Sequence, residues 1–298
     1  MKKIFVITLS LLVFPFLSVK ANPEADEMLR KSKPNFFIEN KGQWNSEVKF
    51  LARIGGMNAW ITDEGIVYDF YRIEHDKELN IDSLMNAEPV DWRKKRYEHS
   101  RLQGHVVKMS FVKSGSALST AGFTPQPQSH YQIQGKNKLE AYYNYFIGND
   151  STKWASYVGL YREVIIKDVY EGIDYRLYFD NGFLRYDLDL EPFAELEQIK
   201  MKYQGQDGLS VNNNGELIIS TSIGKVTNEK IYAYQGENKD NEVRVCFRQN
   251  PDNTIGFTTE NHDKSLALTI DPLVYSTFIG GNNEDCGSSI VLDGSNNA

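Results

Sequence analysis

The feature that most constrains the fold is a strict alternation of apolar and polar side chains over residues 173–190. The apolar positions on either side of a central dipeptide are Ile173, Tyr175, Leu177 and Phe179, then Leu184, Tyr186, Leu188 and Leu190. A period of two places one set of side chains on one face of a strand. The dipeptide, Asn181-Gly182, accepts the positive φ angles of a type I′ turn, whose twist matches paired strands. The segment therefore predicts an antiparallel hairpin with one buried face.

Short apolar runs bounded by turn residues recur along the chain from Phe36 to Ile270. Runs at about 8–12-residue spacing are typical of sandwiches and open barrels. Aromatic side chains, which favour strands, make up 12% of the chain. Strands do not alternate with amphipathic helices, as a doubly wound parallel sheet would require. We therefore predict an all-β, mainly antiparallel fold of two β-sandwich-like lobes, residues 36–135 and 136–272.

Two polar stretches interrupt this pattern. Residues 74–101 are highly charged and predict a solvated insertion in the first lobe, irregular or with a short helix. Residues 113–140 are rich in Ser, Gly, Gln and Pro, which favours a long loop or linker. We expect the boundary between the two lobes in this second stretch.

The N-terminus has the pattern of a cleaved export signal, because Lys2 and Lys3 precede an apolar run over residues 4–19. The alternative is an uncleaved membrane anchor, but the run is shorter than the roughly 20 residues that span a bilayer. We predict a signal peptide over residues 1–21 and a flexible N-terminus over residues 22–35. The mature chain is then exported to the extracellular space or the outer cell surface, and the periplasm is also compatible. No later stretch predicts a transmembrane segment.

Charge and cysteine content narrow the partners and the covalent structure. The formal net charge of −7 argues against nucleic-acid binding, which needs a basic face. Export would permit a disulfide between Cys246 and Cys286. Cys286 falls, by its sequence pattern, in the start of a different module, so we favour two unpaired thiols.

Sequence motifs for catalysis or cofactor binding are absent from the chain: there is no H-E-x-x-H, G-x-S-x-G, Walker loop or G-x-G-x-x-G. We therefore predict no cofactor, no metal and no enzyme activity; a hydrolase that uses unrecognised carboxylates is the remote alternative. Asp187 and Asp189 share one face of a predicted strand, and we expect that face to be solvated. The alternative is a Ca²⁺ site at this pair, or at the oxygen-rich residues 282–285.

A cluster of aromatic side chains within residues 142–157 offers the best candidate for ligand binding. The candidate ligand-binding residues are Tyr143, Tyr145, Trp154 and Tyr157. Flat rings with polar tips stack on sugars or fill protein interfaces. The alternative is that Tyr143 and Tyr145 alternate into the core, because aromatic side chains are ordinary strand residues.

Several stretches of the chain resemble a known family. They are FIENKGQW at 37–44, VYEGIDYRLYFDNGFLRYDLDLEP at 169–192, IKMKYQG at 199–205, GELIISTSIGKV at 215–226 and LTIDPLVYSTFIGG at 268–281. In this order they are similar to the uncharacterised β-rich domain that precedes SBBP-type β-propeller repeats in large secreted bacterial proteins. The resemblance covers roughly residues 36–298. It implies that propeller repeats of the same polypeptide follow the domain.

Residues 273–298 are similar to the opening of one such repeat. A blade takes about 40–45 residues, so this segment predicts an incomplete blade that packs poorly or borrows an edge of the domain. We expect a noncatalytic structural or interaction module of a secreted or cell-surface protein. It would support or cap the following propeller and contribute to adhesion, with glycans or surface proteins as further partners. The alternative is a carbohydrate-binding module that uses the aromatic cluster.

Overall fold

Sixteen β-strands and two short 3-10 helices form the part of the chain that the structure, a computed structural model, describes: residues 35–75, 100–112, 131–180 and 182–276. The first eight strands are β1 Phe37–Glu39, β2 Val48–Ile54, β3 Met57–Thr62, β4 Gly65–His75, β5 Ser100–Phe111, β6 Gln132–Tyr145, β7 Ala155–Tyr170 and β8 Ile173–Asp180. The others are β9 Phe183–Leu190, β10 Met201–Gln204, β11 Gly208–Val211, β12 Leu217–Thr221, β13 Gly224–Gln235, β14 Val245–Gln249, β15 Ile255–Thr259 and β16 Leu268–Ser276. The 3-10 helices are Ser151–Lys153 and Leu196–Gln198.

Several predictions from the sequence concern residues outside these ranges. They are the signal peptide 1–21, most of the flexible N-terminus 22–35, most of the charged insertion 74–101, the first part of the linker 113–140, residues 277–298 of the incomplete blade, and Cys286. In the described ranges Cys246 is a free, half-buried thiol. No helix in those ranges is both long enough and apolar enough to span a bilayer.

The strands form one antiparallel, barrel-like sheet that is nearly closed. Its order is β11-β12-β13-β16-β9-β8-β7-β1-β2-β3-β4-β5-β10-β15-β14, with β6 added to β7. The two ends of this path approach each other, because the side-chain amide of Gln249 on β14 donates to the carbonyl oxygen of Leu209 on β11 (3.4 Å). The predicted all-β, antiparallel class is therefore confirmed.

Strand β7 joins the two halves of this sheet, because β1 of one half and β8 of the other pair with the same edge of β7. At Tyr161, β7 pairs with Phe37 of β1 and with Lys138 of β6. At Glu163 it pairs with β8 and again with β6. A strand has only two edges, so β6 follows one edge of β7 while β1 and β8 follow each other along the opposite edge.

The two predicted lobes are not confirmed, because a single core cluster spans both halves of the chain. Phe37, Ile61 and Val107 belong to the same buried cluster as Leu177 and Ile270. Each lies at 0–1% exposure, in the interior of the barrel-like sheet. The apolar faces of all these strands therefore meet in one interior.

The predicted linker is wrong for residues 132–140, which form most of β6. Most of β6 is exposed, so its composition carries little apolar signal. It is held by backbone pairing with β7, from Gln132 opposite Lys167 to Tyr145 opposite Ala155. Backbone hydrogen bonds can hold an edge strand of polar sequence, and composition alone therefore predicted a loop.

The predicted hairpin is confirmed as β8 and β9. They pair from Ile173 opposite Leu190 to Asp180 opposite Phe183. Gly182 has a φ of +82°, as a tight hairpin turn requires. The core-facing positions agree with the alternation, since Tyr175 and Leu188 are at most 1% exposed.

The end of the described chain is a strand inside the sheet. β16 pairs with β13 on one edge and with β9 on the other, and it continues through Asp271-Pro272 to Ser276. Residues 273–276, the start of the predicted incomplete blade, therefore extend the last strand of the domain alongside β13.

Substitution of Gly65 tests how closely β4 and β5 pack. Its φ is +139°, and a Cβ there would lie 2.1 Å from the carbonyl oxygen of Met109. We expect Gly65→Ala to lower the free energy of unfolding by about 1–3 kcal/mol. Gly55→Ala is the matched control, because no atom lies within 4 Å of its Cβ position. Urea unfolding of both variants is the measurement, and equal stabilities would contradict the expectation.

A candidate binding surface on the β6–β7 ribbon

Five large aromatic side chains are exposed together where β6 ends and β7 begins. With their exposed fractions, they are Tyr142 (49%), Tyr143 (41%), Phe146 (59%), Trp154 (46%) and Tyr157 (66%). We call these five residues the aromatic surface. Ile147 beside them is 77% exposed. Such a concentration of exposed apolar area is uncommon on a soluble domain and marks a candidate interaction site.

The rings of the aromatic surface pack on one another in pairs. The ring centroids of Tyr142 and Tyr157 are 4.8 Å apart, and those of Phe146 and Trp154 are 5.8 Å apart at 76°. The indole N–H of Trp154 donates to the carbonyl oxygen of Gly148 (3.3 Å). These contacts restrict the rings, so less side-chain entropy is lost when a ligand binds.

Three of the four candidate residues lie on the aromatic surface, and the fourth supports it from below. Tyr143, Trp154 and Tyr157 are exposed, whereas Tyr145 is half-buried. The ring of Tyr145 packs edge-on against Trp44 (5.5 Å). Burial raises the pKa of Tyr145 above its usual value. The alternative that both Tyr143 and Tyr145 enter the core therefore holds only in part, for Tyr145.

The surface rests on a small apolar cluster of its own. Its buried members are Ile38, Ala155, Val158 and Leu160, with Phe36, Trp44, Leu139 and Tyr145 packed against them. The ring of Phe36 contacts that of Tyr143 at 5.7 Å. Tyr143 is therefore fixed to a packed base.

An unusual backbone conformation directs Tyr157 outward. Its φ is +53°, a left-handed conformation that costs a residue with a Cβ about 1–2 kcal/mol. The backbone N–H of Tyr157 donates to the side-chain oxygen of Asn144 (2.9 Å). The ammonium of Lys41 donates to the carbonyl oxygens of Ser156 (3.4 Å) and Tyr157 (3.5 Å). The sequence gives no signal for this conformation, because it depends on groups brought from β6 and from the loop after β1.

Irregular pairing flanks two neighbouring tyrosines of the aromatic surface on both sides. The register between β6 and β7 shifts between Lys138 and Tyr142, and again between Tyr143 and Tyr145. Between these shifts Tyr142 and Tyr143 pair in unbroken register with Gly159 and Val158. Their side chains therefore leave opposite faces of the ribbon, and both are exposed.

The first half of the ribbon is held by Tyr161, whose ring lies over two glycines. A Cβ at Gly135 would be 2.5 Å from this ring, and one at Gly159 would be 2.8 Å from it. The ring of Tyr161 also contacts Phe50 at 5.6 Å, and the ammonium of Lys138 lies 5.7 Å from its centroid. Glycine is therefore required at both positions for the ring to pack flat against the ribbon.

The free edge of β6 is poorly suited to adding another strand. In the described part of the chain β6 pairs only with β7. Lys136 and Lys138 lie on it, and Asn137 between them has a φ of +53°. Lysines and bulges protect edge strands from pairing with other chains. The side chains of the aromatic surface, rather than the backbone edge, are therefore the candidate binding elements.

A second cluster, of charged residues, contradicts the expected solvent position of Asp187. Asp187 is 3% exposed, and its carboxylate accepts hydrogen bonds from the guanidinium of Arg176 and from the hydroxyl of Tyr178 (3.0 Å). Burial raises the pKa of Asp187 to about 7, while Arg176 opposes the rise. Asp189 contacts the same guanidinium at 3.1 Å. Arg176 thus occupies the place between the two carboxylates that a Ca²⁺ ion bound by this pair would take.

This ion pair could have been found from the sequence. The Asn181-Gly182 turn sets the hairpin register, and that register places Arg176 directly opposite Asp187. The burial of Asp187 could not have been found in the same way, because alternation assigns it to the solvent face.

Stacked tyrosines line part of the interior beside a cavity of about 40 Å³. Tyr175 and Tyr186 stack at 4.9 Å, and Tyr68 and Tyr203 also border this region. Burial raises the pKa of Tyr68 to about 12 and that of Tyr175 far above its usual value. The cavity is large enough for only a water-sized occupant, so these tyrosines serve packing.

The described part of the chain contains no group of three His, Cys, Asp or Glu side chains that could hold a metal ion.

Residues 37–273 match the model of a family described as Domain of unknown function (DUF7948). The chain belongs to this family. No curated protein and no solved structure matches the chain. The matched segment of this DUF7948 member includes the whole aromatic surface and the charged cluster around Asp187.

The backbone of Tyr157 provides a test of the strained conformation. We expect Tyr157→Gly to be more stable than Tyr157→Ala by about 1 kcal/mol, because only glycine adopts a positive φ without a Cβ penalty. Both variants remove the ring, so their difference isolates the backbone. Thermal unfolding of the two proteins is the measurement, and an alanine variant as stable as the glycine variant would contradict the left-handed conformation.

Proposed function

We propose that this chain is a noncatalytic interaction module of an exported protein and that the aromatic surface is its binding site. The observation that carries the proposal is the exposure of five large rings on a rigid ribbon. Tyrosine and tryptophan in such settings contribute most of the binding energy at protein interfaces. Leaving them in water is unfavourable unless a partner covers them.

The charged cluster supports a noncatalytic role. The carboxylate of Asp187 is bonded on both oxygens, by Arg176 and by Tyr178. A general acid or base needs a free position beside its substrate. The group with the most strongly raised carboxyl pKa in the described chain is therefore committed to structural contacts.

Protein surfaces are the first class of partner that we propose. The aromatic surface includes Phe146 and adjoins Ile147, which have no polar tip. Purely apolar side chains at the centre of a patch favour burial against another apolar surface. The surface therefore suits adhesion to a protein partner.

Carbohydrate binding is the second candidate, and the Tyr142–Tyr157 pair favours it. Both rings are about half-exposed or more and carry hydroxyl groups. Asn144 and Asp150 lie close by in the chain as polar groups that could bond to sugar hydroxyls. Asp150 is also tied to the short helix, since its carboxylate accepts from the hydroxyl of Thr152 (2.6 Å).

Support for following propeller repeats is a further part of the proposal. The chain leaves the domain along β16, which pairs on both edges and has Leu268 and Ile270 buried in the core. A chain that continues directly from a core strand has a fixed starting direction, unlike one on a flexible linker. This geometry supports the role expected from the resemblance to propeller-associated domains.

Binding through the aromatic surface can be tested with the full chain and two probes, a glycan array and the purified downstream region of the same polypeptide. We expect Trp154→Ala and Tyr157→Ala each to weaken binding to the recognised probe by about tenfold or more. Phe183→Ala is the control, because Phe183 is 41% exposed but lies outside the aromatic surface. Binding to glycans alone would favour the carbohydrate candidate. Binding to neither probe, or equal binding by all variants, would contradict the site.

Support of following repeats can be tested by thermal unfolding. We expect the chain extended by its native downstream sequence to melt at a higher temperature than residues 1–298, by about 2–4 °C for each kcal/mol of contact. The reason is that a bound module stabilises only the folded domain. Independent melting of the two parts, at unchanged temperatures, would contradict support.

A further inference from the structure

The chain leaves the barrel-like sheet along β16, whose pairing with β9 ends earlier than its pairing with β13. On the β9 side the last pair is Ile270 opposite Leu188, whereas on the β13 side pairing reaches Ser276. One further step in the same register would place Asp271 directly opposite Asp187. Pro272 follows and has no N–H to donate to the ladder. The exit strand, defined as residues 271–276, therefore separates from β9 at a pair of carboxylates.

The two carboxylates differ in their surroundings. Asp187 is 3% exposed and is bonded to Arg176 and Tyr178 of β8. The side chain of Asp271 is 19% exposed and pairs with the guanidinium of Arg185 on β9. Like charges directly opposite each other destabilise a strand pair.

We propose that Asp187 and Asp271 form a proton-dependent fastening for the exit strand. With a proton on Asp187, the charge repulsion between Asp187 and Asp271 is removed, and the exit strand lies against β9. Without that proton the two carboxylates repel, and the exit strand is held on the β9 side by the Arg185–Asp271 pair alone. The only covalent change is the gain or loss of the proton on Asp187, which is exchanged with solvent.

The charged groups around Asp187 agree with a proton equilibrium near neutral pH. Its pKa is about 7, because burial and the charges of Asp271 and Asp189 raise it more than Arg176 and the Tyr178 hydroxyl lower it. Because this value lies above the usual 3.8, the stabilisation from the protonated form is complete at low pH. It is lost as the pH rises through about 7.

Three ionisable groups near the pair have pKa values raised above already high usual values. The pKa of Arg185 is raised above its already high usual value, and burial raises that of Tyr178. Tyr232 of β13, opposite Asp271, has a pKa that is also raised above its usual value of 10.0. All three keep one protonation state while Asp187 changes.

The consequence for function rests on the proposed support of a following module. A fastening at the first residues of the exit strand would set the direction of that module according to pH. The fastening itself is a property of this chain alone, and it can therefore fail or hold independently of the proposed function.

Hydrogen exchange of the backbone amides of residues 273–276 in the full chain tests the fastening. Protection factors are compared at about pH 5.5 and about pH 8, on either side of the pKa of Asp187. We expect protection in the wild-type chain to fall by up to about fivefold at the higher pH. Asp187→Asn, which is neutral at both pH values, should keep its protection.

Two further variants make the test decisive. Asp271→Asn removes the repulsion from the other side and should also abolish the pH dependence, even if Asp187→Asn does not fold. Asp174→Asn is the control, because Asp174 pairs with Lys167 on the same face and not with Asp271. It should retain the wild-type response. The fastening is refuted if wild-type protection is the same at both pH values, or if both Asp187→Asn and Asp271→Asn respond as the wild type does.

Discussion

Backbone pairing along β7 is the constraint on which the rest of the structure depends. β1 and β8 follow each other on one edge of this strand, and β6 covers the opposite edge. Each half of the sheet would otherwise end in a free edge next to an open core. Because β7 satisfies both halves at once, their apolar faces close around one interior, in which Val164 and Ile166 of β7 are fully buried.

The same strand explains where the aromatic surface lies. The part of β7 that pairs with β8 packs Val164 and Ile166 into the main core, whereas its beginning pairs with β6 and packs on a small cluster around Val158. A ribbon of two strands twists and bulges more freely than the middle of a sheet. The register shifts around Tyr142 and Tyr143 and the left-handed backbone of Tyr157 occur in this region. Exposed rings and irregular pairing thus have one origin, the departure of the ribbon from the closed sheet.

Core packing and charge occupy the two opposite faces of the β8–β9 hairpin. The interior face of this hairpin carries Tyr175 and Leu188, and the outer face carries Arg176 and Asp187. A buried ion pair gains less than its Coulomb energy suggests, because desolvation opposes it. The pair instead helps to specify which strands lie together, because it joins β8 to β9 beside the point where β16 leaves the sheet. Stability and the direction of the exit strand therefore depend on neighbouring residues of the same face.

The sequence by itself determined the antiparallel class, the β8–β9 hairpin and the position of the aromatic cluster. These features depend on side-chain periodicity and on turn residues, such as Gly182, that act within a few residues. Only the tertiary structure decided that the sheet forms one nearly closed barrel, that residues 132–140 form a strand, and that Asp187 is buried. Each of these depends on a partner distant in the chain, and local alternation holds no information about that partner. The outward direction of Tyr157 was decided in the same way, since Lys41 and Asn144 reach it only after the ribbon has folded.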